Sequence, residues 1–302
     1  MALFVAAAAA GFSLTETGVM ITTQLATLEH GHLQVPHHTT HALVEIGASD
    51  LDTLDEQVLP SDPNAFLLTF EPMADKYAKL MARGDERFGH HGIFISGGSN
   101  LATPLGFYHP RAVALPVAVS LTGGPVTMNI GRVAGCSSLL GNNNSSNPKD
   151  ICGPRGRMET RVVDTITIEQ ALALLPPRLP IKLIRTDMQG LDADIVRAIP
   201  DRLLARVTQI TSETVPSFST PRYALPDRTT CEALVTHMAE RGFNATNATS
   251  SSNVGFGVEA CSCGGPTCPC GGPTCEAIVT FYRGMAPAVD PRLFVEGRKK
   301  KG

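Results

Sequence analysis

Acidic residues recur at one kind of place in this sequence, where a short apolar run comes to an end. Glu71, Asp187 and Glu213 each follow such a run. The runs predict buried strands, and ligands of open α/β sheets bind beyond the carboxyl ends of the strands. A carboxylate there can accept hydrogen bonds from ribose hydroxyls or balance a positive centre. The pattern therefore predicts a pocket for a nucleoside-containing cofactor.

The first apolar run, Ala42 to Ile46, ends in a loop that fits this prediction. Gly47, a small residue and a polar pair favour a tight turn after the strand. The interval from Gly47 to Glu71 suits one strand–helix–strand unit with an acidic residue at the tip of its second strand. A pyrophosphate favours several glycines, whereas here Asp50 and Asp52 follow the single glycine and would repel phosphate.

The order of apolar runs and helical patterns indicates the elements that hold these residues. Strands and helices alternate, which predicts a mainly parallel sheet with helices on both faces. We expect a third strand over Ala112 to Val119 with Ser120 near its tip, and a capping box at Thr167 that opens a helix. The run Ala277 to Tyr282 is expected to close a hairpin as an antiparallel edge strand.

Composition limits the classes of function. The chain has 302 residues and a net charge of −3, so it offers no basic face for nucleic acid. No stretch approaches the roughly 18 apolar residues of a membrane-spanning helix. We expect an N-terminal arm or cover segment at 1–38 and one main domain at 39–302. The apolar start of the arm fits a truncated signal peptide and an alanine-rich helix about equally.

The eight cysteines permit disulfides without requiring them. A Cys-rich insertion at 259–276 repeats Cys-Gly-Gly-Pro-Thr-Cys, and it is read as a zinc site, as disulfides or, preferably, as a repeat-expanded loop. Cys136 and Cys152 flank an Asn/Ser loop that they could close. With glycosylation triplets such as those at Asn143 and Asn244, these signs favour a secretory-pathway lumen slightly over the cytoplasm.

Several motifs, taken together and in order, resemble the FkbM-type S-adenosylmethionine-dependent methyltransferases over about Ala42 to Arg283. They are Val44-Glu-Ile-Gly-Ala-Ser49, Thr69-Phe-Glu-Pro72, Cys136-Ser-Ser-Leu139 and Ile181-Lys-Leu-Ile-Arg-Thr-Asp-Met-Gln-Gly190. The resemblance implies the class I methyltransferase fold, a Rossmann-like sheet of seven strands with an antiparallel last strand. It also implies methyl transfer to a hydroxyl of a small molecule or glycan.

The resemblance assigns roles to particular residues. It implies that Glu45, Gly47 and Ala48 line the methionine end of S-adenosylmethionine, and that Glu71 binds the ribose. Pro72 and Met73 would pack beside the adenine, and Asp187 and Gln189 would face the transfer site. The strand pattern, independently of the resemblance, places Ser120 at a strand tip beside the cofactor. The family usually has a second glycine where this chain has Asp50 or Leu51.

An alcohol that accepts a methyl group needs a base or a metal ion to develop oxyanion character. Asp187 and Glu213 are the candidates, as bases or as ligands of a divalent ion such as Mg²⁺. Asp187 could instead cap the helix that follows it. Three rivals stay open: a catalytically inactive binding protein with this fold, a nicotinamide-dependent oxidoreductase, and metal storage by the cysteine loop. The sequence determines neither the acceptor nor the oligomeric state.

Overall fold

A seven-stranded, mainly parallel β-sheet is the centre of the computed structural model. The structure describes residues 28–29, 31–49, 53–82, 111–131, 136–142, 157–215, 223–224, 229–247, 261, 277–285 and 287–289. With strands numbered in chain order, the spatial order across the sheet is β13 (Asn244–Asn247), β14 (Ala277–Tyr282), β11 (Val207–Thr214), β10 (Ile181–Thr186), β3 (His41–Ile46), β4 (Ala65–Phe70) and β5 (Ala112–Leu115).

The direction of the strands confirms the predicted α/β class. Neighbours from β5 to β11 pair in parallel, and β14 runs antiparallel to both of its neighbours. A mainly parallel sheet of this kind is compatible with a Rossmann-like fold. One detail of the prediction is wrong: β14 is an interior strand. All six of its residues are buried, and the short polar strand β13, which has no apolar pattern to reveal it, takes the edge.

The predicted third strand is split in two. β5 ends at Leu115, and β6 (Ala118–Ser120) belongs to a separate sheet with β9 (Arg157–Thr167) and β7 (Gly124–Gly131). Pro116 lies between them, and proline lacks the N–H that would continue the ladder. Ser120 therefore ends a strand of this three-stranded sheet, and the prediction that it marks a tip of the main sheet is wrong.

Helices cover both faces of the main sheet, as predicted. One face packs on α1 (Leu54–Gln57), a 3-10 turn (Leu59–Ser61) and α2 (Ala74–Ala82), and the other on α3 (Ile168–Ala173), α4 (Asp192–Arg197), α5 (Asp201–Leu204) and α6 (Cys231–Ala239). Alternation along the strands divides the core, because successive side chains point to opposite faces. Leu43 and Leu67 join Leu54 in one apolar cluster, and Val44 joins Leu234 in the other.

Threonine side chains cap two of the helices, one of them as predicted. The capping box of α3 is present, since the Thr167 hydroxyl accepts from Gln170 N while the Gln170 side chain accepts from Thr167 N. The N-cap of α6 is Thr230, which accepts from Ala233 N. Thr229, one residue earlier, donates instead to Asp194 of α4 and so ties the two helices together.

The described part of the predicted N-terminal arm is a hairpin of β1 (Leu28–Glu29) and β2 (His32–Leu33). Leu33 is buried, and its N–H donates to Leu174 O at 2.7 Å, so this part covers the end of α3. A further short pair joins β8 (Gly141–Asn142) to β12 (Tyr223–Ala224). Among the described residues, no helix has the length and apolar character needed to cross a bilayer.

Two of the cysteine predictions concern residues that the structure describes. Cys231 at the start of α6 is disulfide-bonded to Cys261, with 5.7 Å between their Cα atoms. The disulfide interpretation therefore holds for the first cysteine of the Cys-rich insertion, whose other cysteines lie outside the described residues. Cys136 is also disulfide-bonded. Cys152, its expected partner, lies outside the described residues as well.

Candidate functional site

The chain reverses its order across the sheet beside β3. From β3 it proceeds to β4 and β5 on one side, and it later returns to β10 and β11 on the other. Ligands of open α/β sheets bind at such a point, beyond the carboxyl ends of the strands. Here the loop after β3 meets the loop after β10: Asp187 N donates to Ile46 O at 2.9 Å. We call the space above Gly47 and Asp187 the switch-point crevice.

Gly47 makes the close approach of these two loops sterically feasible. Its φ is +78°, which side chains rarely tolerate, and a Cβ built on it would lie 2.2 Å from Asp187 O. Its N–H and that of Ala48 both donate to Phe70 O at 3.1 Å, so the turn also binds the end of β4. The structure thus brings the Gly47 turn, the tip of β4 and Asp187 together.

Glu71 holds the first loop against the segment that leads into α2. Its side chain is buried and accepts hydrogen bonds from Ser49 N and Met73 N, each at 2.7 Å. Ser49 has a φ of +57°, and its hydroxyl receives a bond from Lys76 Nζ at 2.9 Å. The predicted ribose-binding carboxylate is therefore also a structural clamp in this conformation.

Glu45 lies below the loop, on the sheet face that α1 covers. It is 1% exposed, and its Oε1 accepts from Leu54 N and from Arg185 Nη1, both at 3.0 Å. Thr69 Oγ1 donates to the other oxygen at 3.3 Å. These partners lie side by side because Glu45 is in register with both Thr69 and Arg185. Glu45 balances a buried guanidinium and holds the first N–H of α1.

Asp187 and Glu213 are brought together at the tips of β10 and β11. The amide of Gln189 donates to Asp187 Oδ1 at 2.6 Å and to Glu213 Oε2 at 3.4 Å. Both carboxylates line a small cavity that is open to solvent. Its other walls include Arg185, Thr211, Ser212 and Ile278. Carboxylates and hydroxyls on a small concave surface can accept and orient a hydroxyl group.

Asp192, in the first turn of α4, is a site residue that sequence reasoning missed. It is 1% exposed, and it accepts from Met188 N at 2.9 Å and from Gly190 N at 3.3 Å. Burial raises its pKa to about 7, and the nearby charges of Asp187 and Glu213 contribute in the same direction. The N-cap of α4 is Leu191, without a side-chain bond, so Asp187 does not cap this helix. An acidic residue two positions after Gly190 was the available signal.

The remaining predicted residues lie around this centre or away from it. Ala48 is buried in the apolar cluster under the first loop, and Met73 packs against Met128 and Ile130 of the three-stranded sheet. Pro72 is half-buried between Glu71 and Met73. The Ser120 hydroxyl is hydrogen-bonded to Thr165 Oγ1 at 2.7 Å and accepts a hydrogen bond from Gly123 N at 2.9 Å. Its hydrogen bonds therefore lie within the smaller sheet.

The Cys136-Ser-Ser-Leu139 segment also reaches the site. Ser138 is buried, and its hydroxyl donates to Gln189 O at 2.8 Å. Its backbone pairs with Asn129 of β7. The smaller sheet is thereby attached to the loop after β10. The described part of the chain holds no group of three or more His, Cys, Asp or Glu side chains that could bind a metal ion.

Neither a protein-family model nor a curated protein matches this chain, so its function is inferred from the residues of the switch-point crevice.

Proposed function

We propose that the chain is an S-adenosylmethionine-dependent methyltransferase of the class I fold that methylates a hydroxyl of a small molecule or glycan. The observation that carries the proposal is the convergence of the Gly47 turn, Glu71 and Asp187 at the point where the strand order reverses. The antiparallel β14 between β11 and β13 supports it further, because the resemblance to FkbM-type enzymes implies an antiparallel last strand.

The residues at the crevice fit the cofactor in type and position. Gly47 allows the first loop to turn close against Asp187, and Glu71 ends the neighbouring strand, where a ribose would lie. A carboxylate oxygen has more than one lone pair, so a ribose hydroxyl can donate to the same carboxylate that accepts from Ser49 N and Met73 N. When bound, the cofactor supplies a methyl group that its sulfonium centre already activates.

The task of the protein is then to orient the acceptor and to take its proton. Asp187 or Glu213 would accept the proton of the hydroxyl, and Gln189, which donates to both, would hold them in place. The cavity beside them is small and open to solvent. It would therefore admit the reacting end of the acceptor. Mg²⁺ at the same two carboxylates stays a secondary prediction.

Calorimetric titration with S-adenosylmethionine and S-adenosylhomocysteine tests the proposal. We expect binding by the wild-type protein and a loss of about tenfold or more in affinity for Glu71→Ala, since hydrogen bonds to a charged group contribute about 1.5–3 kcal/mol. Glu169→Ala is the matched control, because Glu169 is an exposed glutamate on α3 paired with Arg202. Circular dichroism establishes that both variants are folded. An equal affinity in all three proteins would contradict the assignment of Glu71.

A second candidate is a non-catalytic binding protein with the same fold. The burial of Glu45 and Glu71 and the engagement of their carboxylates by backbone N–H groups favour it, since these are structural roles. It predicts no heat of binding with either cofactor form. Methyl transfer from radiolabelled S-adenosylmethionine to a panel of alcohols, sensitive to Asp187→Asn and Glu213→Gln, would exclude this candidate.

A further inference from the structure

Asp192 is buried behind the loop that carries the proposed base residues. We propose that it is a positioning residue: by binding the backbone of the 187–190 turn, it sets the placement of Gln189 and, through Gln189, of Asp187 and Glu213. This inference rests on the proposed function for the reaction that the site performs. The placement itself can be measured without turnover.

The hydrogen bonds form a continuous path from Asp192 to the cavity. Its two oxygens accept from Met188 N and Gly190 N, the residues on either side of Gln189. Gln189 has a φ of +56°, which a residue with a side chain adopts only when its surroundings enforce it. From that conformation its amide reaches Asp187 at 2.6 Å and Glu213 at 3.4 Å.

The other side of the turn is fixed independently. Ser138 Oγ donates to Gln189 O, and Asp187 N donates to Ile46 O. The turn is therefore held from the smaller sheet, from β3 and from α4. Of these three contacts, the one made by Asp192 comes from a side chain whose charge can change. A protonated carboxyl keeps one good acceptor oxygen, so protonation weakens one of its two backbone bonds.

The surroundings of Asp192 make such protonation accessible near neutral pH. The charged groups that act on it are Asp187 in the turn and Glu213 on β11, and the side chain of Thr186 on β10 lies close enough to favour its charged form. At the C-terminal end of α4, the Arg197 guanidinium donates a hydrogen bond to Thr229 Oγ1 at 3.5 Å. We therefore expect the geometry of the turn to depend on pH, with a midpoint of about 7 set by burial of Asp192.

Nuclear magnetic resonance of the Gln189 side-chain amide tests this. Its signals are assigned by their loss in Gln189→Ala, and in the wild-type protein we expect them to titrate with a midpoint near pH 7 together with the backbone amides of Met188 and Gly190. The midpoint should disappear in Asp192→Asn. It should persist in Asp194→Asn, the matched control, because Asp194 of the same helix bonds Thr229 instead.

Kinetics supplies a readout that a purely structural role would not give. Once methyl transfer is measurable, Asp192→Asn should lower kcat about tenfold to hundredfold, as expected for displaced catalytic groups, with less than about a twofold change in the KM for S-adenosylmethionine. A midpoint near pH 7 that persists in Asp192→Asn overturns the inference. If that variant does not fold, the wild-type protein alone decides: the inference is overturned if the signals of Gln189, Met188 and Gly190 do not titrate with one common midpoint. Absence of cofactor binding would instead reject the proposed function and leave the titration as the test of Asp192.

Discussion

At the scale of single residues, Gly47 determines how closely the loops of the switch-point crevice can meet. It combines a left-handed backbone with the absence of space for a Cβ beside Asp187 O. Gly242, after α6, has the same φ of +78°, but no atom lies within 4 Å of the place that a Cβ would occupy. The two glycines therefore share the backbone conformation and differ in the space around it.

We predict that Gly47→Ala lowers the free energy of unfolding by about 2–4 kcal/mol, the sum of a left-handed backbone cost and a steric overlap. Gly242→Ala should cost only the backbone part, about 1–2 kcal/mol. Urea unfolding followed by far-ultraviolet circular dichroism measures both. Equal losses in the two variants would show that the approach to Asp187 O is not sterically limiting.

Sequence reasoning located these residues but not their bonds. The tips of β4, β10 and β11 could be predicted because apolar runs end there and parallel strands share one edge. The partner of Glu45 could not, because Arg185 is 140 residues away and only the strand register brings the two side chains together. Asp192 was missed for a related reason, since its role appears only once the turn folds back over α4.

At the scale of elements, the disulfide between Cys231 and Cys261 ties the start of α6 to the chain that leads to β14. The two cysteines are 30 residues apart, and Cys231 N also donates to Val215 O just after β11. Helix α6 is thus fixed at its first residue both by a covalent bond and by the end of a central strand. Disulfides persist in oxidising compartments, and a secretory-pathway lumen stays a prediction.

We predict that the double variant Cys231→Ala, Cys261→Ala loses about 3–4 kcal/mol of stability, the effect expected when a loop of this length is opened in the unfolded chain. The measurement is denaturant unfolding without reductant. Reduced wild-type protein is the comparison, although it also opens the disulfide of Cys136. A double variant as stable as oxidised wild type would contradict the prediction.

Element boundaries followed from the sequence where one local signal dominates. β4 and β14 match their apolar runs, and the capping box begins α3 as expected. The prediction was wrong over residues 112–119, because apolar character continues across Pro116 while the ladder cannot. The sequence did not predict β13, because an edge strand can be short and polar when the apolar side chains of the neighbouring strand form the core.

At the scale of the whole molecule, a polar network ties the strands together at the edge opposite the crevice. Asp62 accepts from His41 Nε2 at 2.9 Å and from Lys182 Nζ at 2.6 Å, and Arg111 donates to its carbonyl. Burial by itself would raise the pKa of Asp62, but the bonds from Lys182 and His41 outweigh it and keep the pKa below its usual 3.8. The starts of β3, β5 and β10 thus share one aspartate.

We predict that Asp62→Asn lowers the free energy of unfolding by about 1–3 kcal/mol at pH 7, because it removes a charge-assisted network. A depressed pKa gives stability that is present above the unfolded value and lost as the pH falls through the folded value. The difference between variant and wild type should therefore shrink below about pH 4. Unfolding curves at pH 7 and pH 3 measure it, and a constant difference would exclude this linkage.

The interior position of β14 has a consequence for how the chain is made. A growing polypeptide emerges from its N-terminal side, so β13 leaves the ribosome before β14, the strand to which it is hydrogen-bonded. Until then β11 presents an unpaired edge, which is a template for pairing with other chains. When β14 inserts between β11 and β13, it pairs with both strands at once. Completion of the sheet therefore waits for residues 277–282, and until they arrive the edge of β11 is open to pairing with another chain.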